Sequence, residues 1–452
     1  MGTAVKISVI GAGSATFSLG LVKDLCLTES LAGSLVSFMD INPERLEIVH
    51  KLAERYATEL GADMRFESTE DREASLEDAD FVINTAYVKG HYHARDTREV
   101  TAKHGYYYGG VGIGSYDNLQ LMLNVAFDME QICPDAWLIQ SGNPVFAGST
   151  LMTRETDIKV CGLCHGHYGV YEIARTIGLE DMSKLTWQAP GVNHNIWLTH
   201  FFYDGKDAYP LIDEWIRTKG EEYWRTHIAT RTHDTQMSRA AVHQYRMYGL
   251  FPIGDTVRRG GWWYHTDLAT KKYWYGEPFG GPDTEIARPV HVAGLEKRMA
   301  EMASVVNDPK ASAVALFGRE KTREQQVPII DGLVNDHEGQ FQVNVPNNGA
   351  ITGIADDVVV EVPAIVNIKG IQPIQVGPLP QKVMLEHVLP EVLDMERQLH
   401  AFLTGDRSML LWNVLESHQT RSYDQAVAVL EDILNMPANE NLKEYFRWPE
   451  NW

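Results

Sequence analysis

The side chains best suited to bond-breaking chemistry begin at Cys164. Residues 160–170 read Val-Cys-Gly-Leu-Cys-His-Gly-His-Tyr-Gly-Val, so a thiol stands beside two imidazoles, His165 and His167. Gly166 and Gly169 are small enough to let backbone approach a ligand. Further on, Gly191-Val192-Asn193-His194 offers another imidazole in a Gly/Asn-rich turn. The string Cys161-Gly-Leu-Cys164-His165 matches the pattern of c-type haem attachment, and Cys-x-x-Cys also suits a redox pair or half a zinc site. None of these fits the rest of the chain. The start, Met1 to Lys6, lacks the pattern of an export signal, and no second cysteine pair exists. A strand over 158–164 would point residues 161 and 164 to opposite faces. Cys161 then reads as a small buried hydrophobe and Cys164, at the strand's end, as the one free to act. One sulfur and one nitrogen, Cys164 and His194, are too few to close a structural zinc site. They leave positions that a substrate diol would fill. Softness alone does not select the metal for such a pair. Taken singly, each has a plainer reading, as a core cysteine and a hydrogen-bonded surface histidine.

A second stretch is Gly254-Asp255-Thr256-Val257-Arg258-Arg259, followed by Trp262-Trp263-Tyr264-His265. Gly-Asp-Thr is compatible with an ordinary Asx turn. Equally, a carboxylate beside two arginines stays ionised at neutral pH, as a base must. The aromatic run reads as a sugar-stacking wall or as a core seam.

The elements that must position these residues begin with a short apolar strand over 5–10 and the turn Gly11-Ala12-Gly13-Ser14-Ala15-Thr16, before a helix over 17–26. This is a variant of the dinucleotide fingerprint. Gly11 and Gly13 serve the tight turn and the approach to pyrophosphate, and Thr16 replaces the third glycine. A second strand over 35–39 ends in Asp40, placed to hold a ribose hydroxyl pair. No arginine adjoins it for a 2′-phosphate, which favours NAD over NADP. A helix over 44–60 follows. The apolar strand over 80–86 closes in Asn84 and Thr85, and another over 136–140 runs into Ser141-Gly142-Asn143-Pro144, so small polar residues stand where strand ends meet a cofactor. The alternation implies an α/β fold: an N-terminal Rossmann-type doubly wound parallel sheet (residues 1–187), like that of lactate and malate dehydrogenases. Residues 188–452 read as a C-terminal α+β domain. It has strands at 341–345 and 358–362 and a helix over 385–402, kinked at Pro390 and ended by Gly405.

Lys+Arg 40 against Asp+Glu 61 gives a net charge of −21, which argues against nucleic acid or an anionic membrane as partner. No run of 18 apolar residues exists, and four cysteines make no disulfide framework. The expected compartment is the cytoplasm.

Read in order, Gly11-Ala-Gly-Ser-Ala-Thr-Phe17, Asp80-Phe-Val-Ile-Asn-Thr85, Cys164-His-Gly-His-Tyr-Gly-Val170, Gly191-Val-Asn-His194 with Trp197, Gly254-Asp-Thr-Val-Arg258 and Asp356-Asp-Val-Val-Val-Glu-Val-Pro363 form one set. That set resembles glycoside hydrolase family four, the NAD- and divalent-metal-dependent glycosidases, over essentially the whole chain. The Cys-His-Gly-His-Tyr-Gly segment looks most like the α-glucosidase branch. The resemblance implies a departure from the two-carboxylate scheme of most glycosidases. NAD would oxidise the sugar at C3, which acidifies the C2 proton. A metal, manganese or another divalent ion, on Cys164 and His194 would chelate the C2 and C3 oxygens. Removal of the C2 proton would expel the aglycone, and water addition with hydride return would leave no net redox change. It further implies Asp255 as the base, Arg258 as a substrate contact, and Asn143 between sugar and nicotinamide. His165 would be an acid or hydroxyl contact with His167 behind it, and His194 would also touch substrate. The assembly it implies is a homodimer or homotetramer.

The chain departs from the family pattern twice. The segment from Tyr106 to Tyr116 is short and Gly-rich, which leaves the leaving-group acid unassigned, and Glu324-Gln325-Gln326 lacks an expected terminal His. An α-glucuronidase or α-galacturonidase is the alternative within the family and would need a cation, Arg258 or Arg259, aimed at C6. Outside it stand an NAD-dependent 2-hydroxyacid dehydrogenase, which would have no use for Cys164, and an NAD-binding protein without turnover.

Overall fold

A computed structural model describes residues 2–107 and 113–450. Its first half alternates strand and helix: β1 (Lys6–Ile10), α1 (Ala15–Cys26), β2 (Leu35–Met39), α2 (Pro43–Leu60), β3 (Arg65–Thr69), α3 (Arg72–Leu76), β4 (Phe81–Asn84), α4 (Gly90–Lys103), α5 (Tyr116–Ile132), β5 (Trp137–Gln140), α6 (Val145–Glu155), β6 (Lys159–Gly162) and α7 (Tyr168–Thr176). The six strands run parallel in the order β3-β2-β1-β4-β5-β6, the order of a dinucleotide-binding fold. Short-range chemistry sets the helix ends. In α2, the Asn42 side chain accepts from Arg45 N–H, Pro43 opens the first turn and Gly61 closes it at φ 69. Between them Leu46, Val49, Leu52, Ala53 and Tyr56 bury one face. Strand β3, Arg-Phe-Glu-Ser-Thr, sits at the sheet edge and is mostly polar, so its apolar signal is weak.

The second half does not stand apart. Its strands are β7 (Leu185–Gln188), β8 (Gly191–Val192), β9 (Asn195–Leu198), β10 (His200–Tyr203), β11 (Lys206–Asp207), β12 (Phe251–Ile253), β13 (Gly339–Pro346), β14 (Val359–Asn367) and β15 (Gly370–Pro373). β13 joins β6 antiparallel through Asn344 and Gly162, and the sheet continues β13-β14-β8-β9-β12, with β15 beside β14, to twelve strands. The sheet thus crosses residue 187 unbroken, while β7, β10 and β11 form a small sheet of their own. The helix expected over 385–402 runs as a π-helical turn, Met384–Val388, into the α-helix Leu389–Thr404. Pro390 lies at its start, where the missing N–H breaks the regular ladder, and Gly405 ends it at φ 68. Among the described residues no helix is long and apolar enough to cross a membrane.

Candidate functional site

The carboxyl ends of β1, β4, β5 and β6 carry the expected residues on one edge of the sheet. After β1, Gly11 N–H and Ala12 N–H donate to the Met39 carbonyl, a turn that holds Gly11 at φ 83. A Cβ on Gly13 would lie 2.7 Å from Asp40 Oδ2, the atom that accepts the Gly13 N–H at 2.7 Å. Asp40 Oδ1 accepts from Asn42 N–H, and a carboxylate so held keeps lone pairs for a ribose diol. Ser14 caps α1 with no side-chain bond, and no acid occupies the first turn, so that turn's amides suit a phosphate. The Thr16 side chain lies outside the described residues. Thr85 Oγ1 donates back to the carbonyls of Ile10 and Gly11. Asn84 departs from its expected direct contact with a cofactor: fully buried, its amide donates to Gln140 Oε1 and accepts from Ala86 N–H. It braces the strand ends instead. Asn143, after β5, is exposed at the edge.

Beyond β6 the strand stops earlier than expected. Leu163 N–H makes the last bond to β5, and Cys164 lies in the loop past it. Cys161 is fully buried, as its reading as a hydrophobe required. The glycines of the loop also serve differently. A Cβ on Gly169 would meet Gln236 Oε1 at 2.0 Å, and one on Gly254 (φ 61) would meet Gly166 Cα at 2.6 Å. They let the Gly254-Asp255-Thr256 turn press against the cysteine loop rather than leave space for a ligand.

His194 occupies the two-residue turn of the β8–β9 hairpin at φ 64, a strained conformation for a non-glycine residue. Thr256 clamps that hairpin, with Oγ1 accepting from Ile196 N–H at 2.7 Å and donating to Ile196 O at 3.0 Å. The clamp brings Asp255 Oδ2 to 3.4 Å from His194 Nε2, while Asp255 Oδ1 pairs with Arg258 at 2.6 Å. Burial works against ionisation of Asp255, but Arg258 and His194 outweigh it and hold the carboxyl well below the usual range. Burial lowers His194, which stays neutral and able to ligate. Arg259 turns away to Glu391 at 2.5 Å.

Burial first, then the charges of Glu361 and Asp255, pushes the Cys164 thiol up, against the Gly166 N–H and the Asn193 amide that bond to its sulfur. Asn193 Nδ2 also donates to Glu361 Oε2 at 2.9 Å. Glu361, 1% exposed on β14, is raised to about 7 by that burial. A half-buried thiol, a neutral imidazole and two nearby carboxylates are a donor set and field that fit a divalent cation, whose charge would reverse the upward push on the thiol. Among the described residues no three His, Cys, Asp or Glu side chains form a metal-holding group, so a cation here takes its other ligands from substrate or water.

His165 is exposed and bonds through Nε2 to Glu324 Oε2 at 2.7 Å. Desolvation would lower it, but Glu324 raises it overall. His167 is buried, bonds to the Cys164 carbonyl and falls to about 4 through burial. Of the aromatic run, Tyr264 is core while Trp262 and Trp263 are exposed. Residues 108–112 of the short Gly-rich segment lie outside the described residues. Sequence reading missed Glu361, Glu324 as the partner of His165, and the Thr256 clamp. A lone acid inside the apolar run 358–362 was the available signal for the first.

Three relatives and two solved structures frame the chain. It is 27% identical over 395 residues to an alpha-galactosidase from Bacillus subtilis (strain 168), covering 84% of this chain and 85% of that one. It is 25% identical over 478 residues to an alpha-glucosidase from Erwinia rhapontici, covering 94% and 97%. An alpha-galacturonidase from Thermoanaerobacter italicus is 23% identical over 468 residues, covering 98% and 97%. A 6-phospho-alpha-glucosidase from gut microorganisms, solved with NAD and Mn2+, shares the fold at TM-score 0.78 and 18% identity, covering 99% of this chain and 100% of that one. Lactate dehydrogenase from Eimeria maxima shares it more loosely, at TM-score 0.53 and 15% identity over 90% and 97%. The model of the family 4 glycosyl hydrolases matches residues 6–180 and that of their C-terminal domain residues 189–420, and the chain belongs to this family.

Proposed function

We propose that the protein hydrolyses α-glycosides, α-glucosides and α-galactosides first, through transient oxidation of the sugar. The observation that carries this is the Asp255 carboxylate, which bridges His194 and Arg258 and acts on the Cys164 thiol, while Cys164 follows β6 at the carboxyl edge that also carries the Gly11–Ser14 turn after β1. The relatives named alpha-galactosidase and alpha-glucosidase support the substrate class. Bound here, NAD supplies a hydride acceptor for C3 and manganese, or another divalent ion, a Lewis acid for the C2 and C3 oxygens. The Gly11–Ser14 turn, Asp40 and Thr85 would hold the dinucleotide, and Asn143, exposed after β5, would contact the nicotinamide and the sugar. Cys164 and His194 would hold the metal. Asp255, kept ionised by Arg258, takes the C2 proton, which oxidation at C3 makes acidic enough for a weak base. His165, oriented by Glu324, meets a sugar hydroxyl or the leaving oxygen. The protein works as a homodimer or homotetramer in the cytoplasm, a state that light scattering on the purified protein reads directly.

The test is release of nitrophenol from the α-glucoside and α-galactoside with NAD, manganese and a reductant. Activity is expected to vanish on chelation and on stripping of NAD, and each should restore it. A rate unchanged by both treatments overturns the reading.

A further inference from the structure

The imidazole at 165 is gripped by a segment with no regular structure of its own. Between the helices Ala313–Phe317 and Gln326–Asn335, residues 318–325 form neither helix nor strand. They nevertheless reach His165 from two sides. Glu324 Oε2 bonds His165 Nε2 at 2.7 Å. The Arg323 guanidinium lies 4.5 Å from the centre of the Tyr168 ring, which stacks on the His165 ring with centroids 5.5 Å apart and 7° between planes.

Such a segment holds a side chain only as firmly as its own anchors hold it. On the later side, Gln325 Nε2 donates to the Gln342 carbonyl of β13 at 2.8 Å and Gln326 Nε2 to Ser141 Oγ at 3.1 Å. On the earlier side the anchor is Asp24 of the nucleotide helix α1. Its Oδ1 accepts the Thr322 N–H at 2.7 Å, and its Oδ2 accepts the Thr322 hydroxyl. The oxygen of that hydroxyl in turn accepts the Glu324 N–H at 3.0 Å. Lys23 adds a bond from Nζ to the Phe317 carbonyl at 3.2 Å. Asp24 is 2% exposed; burial pushes its carboxyl up, while the Thr322 bonds act against that push. A buried acid is costly without such bonds. Asp24 also stands ten residues past Ser14, about 15 Å along α1 and out of reach of a phosphate at its first turn.

Resting on the glycosidase reading for the role of His165, we propose that Asp24 and Thr322 are positioning residues of the sugar site. Through Glu324 they fix His165 relative to α1, the helix whose first turn suits the dinucleotide. Cofactor seat and sugar-side imidazole are then set by one rigid helix, although 298 residues separate Asp24 from Thr322. Loss of the Thr322 hydroxyl frees the Glu324 amide, and an imidazole displaced by about 1 Å loses about 100-fold in rate.

The experiment has two arms on the NAD- and manganese-loaded protein. In the first, turnover of a methyl α-glycoside, whose alkoxide needs a proton to leave, is measured in a double-mutant cycle. Thr322→Val should lower kcat about 10- to 100-fold, with KM and the Kd for NAD within about twofold of the parent. Thr322→Ser, which keeps the hydroxyl, should restore most of the rate. In the His165→Ala background Thr322→Val should cost less than about twofold, because the group it places is gone. In the second arm, hydrogen exchange is followed in the segments 163–170 and 318–326. Thr322→Val should speed exchange about tenfold at the amides of Tyr168, Gly169 and Val170, which close the turn around His165, as well as within 318–326. A melting curve checks folding, and Asp24→Asn serves as the second variant. An equal loss of rate with and without His165, or faster exchange confined to 318–326, makes the link merely structural and overturns the proposal, leaving the glycosidase reading standing. If no α-glycoside is cleaved, that reading fails and the exchange arm decides the link alone: faster exchange at 168–170 supports it, and unchanged exchange there overturns it.

Discussion

The Gly11–Ser14 turn and the Cys164–His194–Asp255 corner belong to one sheet, yet they are built by opposite means. The turn is backbone, contiguous in the chain, and works because side chains are absent: at Gly13 a Cβ would strike Asp40. The corner is made of side chains from loops around residues 164, 194 and 255, braced by Glu361 from β14. A site of the first kind is damaged by adding an atom and a site of the second by removing one. Damage to either should leave the other measurable.

The sharpest cut is Cys164→Ala. It should lower kcat/KM on an α-glycoside by about a thousandfold, while NAD titrated by fluorescence binds within about twofold of the parent. Joint loss of both would erase the contrast. Gly13→Ala does the reverse. Crowding of roughly 1–3 kcal/mol against Asp40 should weaken NAD about 10- to 100-fold, and saturating NAD should recover most of the rate. Thr256→Val removes the hydroxyl that clamps the His194 hairpin without touching substrate. Manganese affinity or kcat should fall about tenfold, with NAD affinity unmoved, and no change in either would mean the hairpin holds His194 unaided.

The smallest effect concerns what lies under the corner. The buried His387 packs against Trp197, and its carbonyl accepts from Asn195 Nδ2. Burial, aided by the charges of His418 and Arg259, takes its pKa to about 3. Between that value and 6.5 the unfolded chain binds a proton that the native chain does not, so stability falls as pH drops through this range. The loss attributable to His387 is about 2 kcal/mol from pH 7 to pH 5. His387→Met should flatten that part of the melting-temperature profile while leaving pH 7 nearly unchanged, because its Nε2 has no partner to lose. An identical acid limb would assign it to other groups.

The contrast also explains what could be read beforehand. Gly11, Gly13 and Asp40 were legible because the strand–turn–helix they serve spans few residues and its dihedrals are dictated locally. Cys164, His194 and Asp255 were legible as residue types, but their pairing came from the resemblance of ordered motifs. Asn84 reads as a cofactor residue by position, yet its neighbour Gln140 on β5 claims it. Gly166 and Gly169 read as room for a ligand and instead admit Gly254 and Gln236. In each case the deciding partner lies far away in the chain, where no periodicity can show it.

The sequence by itself determined the parallel α/β start, the nucleotide turn and the stock of metal-ligating and basic groups, because hydrophobic alternation, capping residues and glycine sterics act over a few residues. Tertiary structure alone decided that β13 continues the sheet at β6, that Thr256 locks His194 against Asp255, and that Arg98, Arg258 and Arg288 meet on Asp283. Those outcomes depend on which surfaces become buried against each other, and burial sets the dielectric in which charges attract or repel.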